Sequence, residues 1–67
     1  MEKMSIAAWR RAKGLSQGTV ADRCGVSRVT LHKWEARPSM IPAGKLFVLL
    51  DAIGVPISAV DFREGQQ

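Results

Sequence analysis

Three residues, Gly25-Val26-Ser27, stand between two short helical stretches and constrain this chain more than any other feature. Upstream, Ser16 reads as the N-cap of a helix over residues 17–24, in which Val20, Ala21 and Cys24 share one face. Downstream, Ser27 reads as the N-cap of a third helix over residues 28–36. Gly25 suits the left-handed position that ends a helix, and Val26 supplies an apolar anchor for the turn. The rest of the chain reads as scaffolding that holds this two-helix unit together and presents it.

The remaining residues supply that scaffold. Residues 4–13 read as a first helix, capped by Ser5 and ended by Gly14. Ile6, Trp9, Arg10 and Lys13 follow the spacing of one helical face, which puts an arginine within an apolar stripe. Arg10 is either a snorkelling stem or half of a partly buried ion pair. Gly18 weakens the second helix, by up to about 1 kcal/mol against alanine. Thr19 stands where a full capping box carries Glu or Gln. Pro38 disfavours helix at Arg37, so the third helix ends there. Pro42 suits the first turn of a fourth helix running to Ile53, with Leu46, Leu49, Leu50 and Ile53 facing inward. Gly54 and Pro56 stop it, and residues 57–62 are expected to form a last short helix. Residues 63–67 are expected to fray. The fold class expected is all-α: one compact five-helix domain over residues 1–67, with its core in 4–62.

Size and charge narrow the function. A chain of 67 residues forms one domain with a small core. Its single cysteine, Cys24, excludes an intrachain disulfide, lies on an apolar face and fits structural burial in a reducing compartment. The longest apolar run, residues 46–50, is far short of the roughly 20 residues that span a bilayer, and no signal peptide is visible. The formal charge of +4 is unevenly spread. Residues 1–45 hold nine Lys and Arg against Glu2, Asp22 and Glu35, while residues 46–67 hold Arg63 against Asp51, Asp61 and Glu64. The positive part of the chain favours a polyanionic partner.

The third helix sharpens that choice. At 100° per residue, Thr30, Leu31 and Trp34 fall on one side, while Arg28, Val29, His32, Lys33 and Ala36 fall on the other. Arg28 can donate to guanine O6 and N7, Lys33 to a base or a phosphate, and His32 to a base acceptor. Val29 is apolar on a face with no core to join, and it suits a thymine methyl. The plain alternative is a solvated basic face with one stray valine. His32 is the sole histidine, and its helical neighbours offer no metal site. Ser16 and Ser27 are better read as caps than as nucleophiles, so neither catalysis nor a cofactor is expected. Together these features have the layout of a DNA-binding helix-turn-helix.

The joint pattern of Trp9-Arg10, Leu15-Ser16-Gln17, Val20-Ala21, Gly25-Val26-Ser27, Leu31 and Trp34-Glu35 resembles the Xre-type helix-turn-helix family. That family includes the phage Cro proteins and the N-terminal domains of phage repressors. The stretches at residues 46–50 and 52–55 resemble its fourth helix and exit, so the likeness covers about residues 4–62. It implies a lambda-repressor-like domain that binds operator DNA as a homodimer, with the third helix in the major groove.

By that resemblance Arg10 pairs with Glu35, and Arg28, Val29, His32 and Lys33 read bases. Gln17 contacts a phosphate through its side chain and backbone amide. Ser27, Thr30, Arg37 and Ser39 lie where phosphate contacts are expected, with Arg11 and Lys13 further out. Gly18, Leu50 and the loop at residues 37–41 depart from the family pattern.

The chain ends after the helical domain, which favours a Cro-like cytoplasmic repressor of a palindromic operator over a large self-cleaving repressor. No small-molecule effector or membrane partner is expected. Phe47, Val48 and Phe62 are dimer-surface candidates, although Phe47 and Phe62 also suit the core. An antitoxin-like or adaptor protein, bound mainly to another protein, is the alternative, motivated by the acidic last third and the apolar loop. A helical bundle with no DNA role is a third possibility.

Overall fold

A computed structural model describes residues 3–63 and contains four α-helices. They are α1 (Ile6–Ala12), α2 (Gln17–Cys24), α3 (Arg28–Ala36) and α4 (Ala43–Ile53). Short 3₁₀ turns at Pro38–Met40 and Ile57–Ala59 follow α3 and α4.

Serines start the first three helices. Ser5 Oγ accepts the Ala8 N–H at 3.1 Å. Ser16 Oγ accepts the Thr19 N–H at 3.0 Å and donates to Thr19 Oγ1 at 2.9 Å. Ser27 repeats this arrangement with Thr30, at 3.1 and 3.0 Å. A threonine at the third helical position therefore completes the Ser16 and Ser27 caps through its own hydroxyl, where a capping box would use a carboxylate. Between α2 and α3, Gly25 takes φ +71°, and the Val26 N–H reaches back to the Ala21 carbonyl at 3.0 Å. The left-handed residue turns the chain while satisfying a carbonyl at the end of α2.

Ile6, Val20, Leu31 and Leu49 are the most deeply buried side chains, one from each helix. Ala21, Cys24, Trp34, Leu50, Ile53 and Val60 complete the core. α2 packs against both α3 and α4, and the buried methyl of Ala21 lets a neighbouring backbone approach closely. Burial pushes the Cys24 thiol up from its ordinary range, with Lys45 opposing weakly. Leu50 is buried, so the larger residue is absorbed by the core.

Several expectations need correction. α1 begins at Ile6, because Met4 is extended and forms a parallel bridge with Val60. Pro42 stands before α4 as its N-cap, with its carbonyl accepting the Lys45 and Leu46 N–H groups at 2.9 and 3.0 Å. The fifth helix is absent among the described residues. After Pro56 the chain closes only one 3₁₀ turn, then turns extended at Val60. Backbone groups on either side of Val60 are committed to the N-terminus: the Ala59 carbonyl accepts the Met4 N–H at 3.2 Å, and the Asp61 N–H donates to Met4 at 2.9 Å. Trp9 Nε1 also donates to the Ala59 carbonyl at 2.7 Å, pinning this strap across α1.

Arg63, expected in a frayed tail, forks onto Asp61 at 2.8 Å and holds that carboxyl below its ordinary range. Residues 64–67 lie outside the described residues. Phe47, offered both as core and as surface, is 63% exposed, and Val48 is 41% exposed; Phe62 packs partly against the core.

Leu49→Ala is expected to lower the unfolding free energy by about 2–5 kcal/mol, while Phe47→Ala changes it by less than about 0.5 kcal/mol in dilute solution. Urea denaturation followed by circular dichroism measures both.

Candidate nucleic-acid interface

The candidate interface is built outward from a buried charge pair. Arg10 and Glu35 are each 7% exposed. Arg10 Nε donates to Glu35 Oε2 at 2.6 Å, and a second guanidinium nitrogen reaches Oε1 at 3.3 Å. A third donation goes to the Leu15 carbonyl at 2.9 Å. One side chain thus ties α1 to the end of α3 and to the turn before α2. The fork geometry of a guanidinium suits a bidentate carboxylate. Gln17 Nε2 donates to the same Glu35 Oε1 at 3.0 Å, so this carboxylate accepts from three directions. No buried side-chain nitrogen or oxygen lacks a partner among the described residues.

With Glu35, Leu31 and Trp34 turned inward, helical geometry fixes what points out. Arg28, Val29, His32 and Lys33 are all exposed, Val29 to 64%. Ala36, assigned by its wheel position to the outer side, is half-buried beside Arg37 and Met40. The structure therefore brings four of the five outward residues of α3 together on one open surface.

The flanking candidates fall into four groups. Ser27 is exposed and Thr30 half-buried at the start of α3, with the two hydroxyls hydrogen-bonded to each other. Arg37 and Ser39 are exposed just past its end. Arg11 and Lys13 are exposed at the end of α1. Gln17, the first residue of α2, lies beside α3: its Nε2 is 3.4 Å from His32 Nδ1. The N-terminus of α2, whose Thr19 N–H is capped by Ser16 and whose first N–H groups lie outside the helical ladder, therefore brings its positive dipole end to the border of the exposed face of α3.

Sequence reasoning missed that junction. Gln17 sits 15 and 18 residues before His32 and Glu35, a separation with no helical or strand periodicity to reveal it. It also missed where one basic charge goes. Arg23 donates to the Ala52 carbonyl at 3.0 Å, where it complements the C-terminal turn of α4.

Among the described residues no cluster of His, Cys, Asp and Glu is placed to hold a metal ion, and no helix is long and apolar enough to cross a membrane.

Glu35→Ala leaves a buried guanidinium without its counter-charge. It is expected to cost about 3–5 kcal/mol of stability, a large share of what a domain this size has. The double replacement Arg10→Met with Glu35→Leu is expected to recover most of that loss, since it removes both charges. Urea midpoints of the two variants test the pair.

A family model described as helix-turn-helix matches residues 6–60 of the chain. Neither the curated proteins nor the solved structures offer a match. The matched region runs from the first residue of α1 to the strap at Val60 and includes every residue of the buried charge pair and of the exposed α3 face. The chain belongs to the Xre-type helix-turn-helix family, whose members are DNA-binding regulators.

Proposed function

We propose that this domain is a Cro-like transcriptional repressor that binds a palindromic operator as a homodimer, with α3 in the major groove. The observation that carries this reading is the exposed face of α3. Arg28, His32 and Lys33 surround a valine that nothing buries, on a helix held from behind by a charge pair. A valine 64% exposed among hydrogen-bond donors is placed to pack on a thymine methyl.

In this reading Arg28 donates to guanine, Val29 packs on a thymine methyl, His32 donates to a base acceptor, and Lys33 serves a base or a phosphate. The phosphate contacts that set register come from Gln17, Ser27, Thr30, Arg37 and Ser39, with Arg11 and Lys13 at the edge. Gln17 contributes its backbone N–H, because its side-chain nitrogen is engaged by Glu35 and His32. Gly18 supports the same geometry: a Cβ there would meet only Ser16 Oγ at 3.9 Å. The fold therefore does not require glycine at that position, whereas a phosphate close to the helix start gains room from it. Two copies would place two α3 helices about 34 Å apart, one turn of duplex. Repression then follows from occlusion of the promoter in the cytoplasm.

Phe47 and Val48, exposed on the outer face of α4, support a protein–protein surface. They fit the second copy of a dimer. They also favour a second reading, an antitoxin-like or adaptor protein whose DNA binding is autoregulatory.

Selection of bound duplexes from a random pool is expected to yield an inverted repeat with half-site centres one turn apart. A pool with no enriched sequence would contradict the proposal, and an enriched single half-site would contradict the dimer. Arg28→Ala is expected to weaken binding by about 1–3 kcal/mol and to relax one base position per half-site. Equal loss on every sequence would remove Arg28 from base reading.

A further inference from the structure

Gln17 joins the buried charge pair to the exposed face of α3, and the chemistry of its neighbours fixes its orientation. Its side-chain nitrogen lies 3.0 Å from Glu35 Oε1. A carboxylate paired with a guanidinium only accepts hydrogen bonds, so the Gln17 atom that faces it is the NH₂ group and not the carbonyl. The second hydrogen of that group is left for His32 Nδ1, 3.4 Å away. A ring nitrogen that accepts carries no proton, so the proton of the neutral ring sits on Nε2. Nε2 lies across the ring from Gln17, on a side chain that is exposed.

We propose that Gln17 is a positioning residue for sequence specificity: it holds His32 as the Nε2–H tautomer, so that α3 presents a hydrogen-bond donor at that point. The inference rests on the reading of α3 as the helix that contacts bases. It assigns His32 a chemical class of target. A donor in the major groove meets guanine O6 or N7, adenine N7 or thymine O4, and is mismatched to the cytosine amino group. An imidazole free to change tautomer would present a donor or an acceptor and discriminate less. The order runs Arg10, Glu35, Gln17, His32, from a buried cation to an exposed ring through three contacts.

Two measurements test this. The first is duplex selection with the wild type, Gln17→Ala, His32→Ala and the double variant. Gln17→Ala and His32→Ala are expected to relax the same base position, with discrimination there falling about fivefold, as for one lost hydrogen bond. The double variant is expected to relax it no further. Loss of affinity on all sequences alike, with every base preference kept, would overturn the inference. So would relaxation by Gln17→Ala in the His32→Ala background. Gln17→Met, which keeps the side-chain length without the amide, repeats the test should the alanine variant fold poorly.

The second measurement needs no DNA. His32 is the chain's single imidazole, so its ¹⁵N resonances above the imidazole titration report the tautomer directly. Nε2–H is expected to dominate in the wild type, with a larger Nδ1–H fraction in Gln17→Ala and Gln17→Met. An Nδ1–H ring in the wild type, or a ratio unmoved by the variants, would overturn the inference while leaving DNA binding untouched. A wild type that selects no sequence would overturn the DNA reading whatever the tautomer.

Discussion

The contact between Arg10 and Glu35 determines how the rest of this small domain is arranged. Both side chains are almost fully removed from water, and a charge buried in that way is tolerated only with its partner in place. The pair therefore contributes less to net stability than to geometry. It sets the distance between α1 and the end of α3, and through the Leu15 carbonyl it also sets where α2 begins. Any rotation of α3 about its axis would pull Glu35 off the guanidinium. The outward face of α3 is thus fixed from the inside, by an interaction on its opposite side.

The core and the caps serve the same end by different means. Short helices have little intrinsic stability, and here each of the first three is started by a serine whose hydroxyl satisfies a backbone N–H. The most deeply buried side chains come one from each helix, so no helix can leave without opening the core. The segments before α1 and after α4 meet as well. The bridge between Met4 and Val60 and the Trp9 bond to the Ala59 carbonyl close the domain into a loop. A chain this small, with no disulfide, needs such closure.

Where the sequence could be read, it was because the physics was local. Serine caps, glycine at the left-handed C-termini and proline after α3 act within a few residues. They locate α2, the turn and α3, and with them the division of α3 into a buried side and an open side. The segment over residues 57–62, expected to be helical, departs from that expectation for a tertiary reason. Residues 57–62 have no strong helical bias, and their backbone finds partners at Met4 and Trp9 that no local pattern announces. Phe47 was ambiguous because α4 is apolar at nearly every position, from Leu46 to Leu50. With no polar stripe to orient it, only packing decides which residues turn in.

The same division separates identity from detail at the candidate interface. The sequence by itself determined that two capped helices join at a tight turn, that Arg28, Val29, His32 and Lys33 share a face, and that the positive charge lies in the first two thirds. Each of those follows from backbone propensity and helical period. Only the tertiary structure decided that Gln17 turns its amide toward Glu35 and His32, and that Arg23 spends its charge on α4. Those outcomes depend on the angle and distance at which α2 meets α3 and α4, and the packing of the shared core sets both.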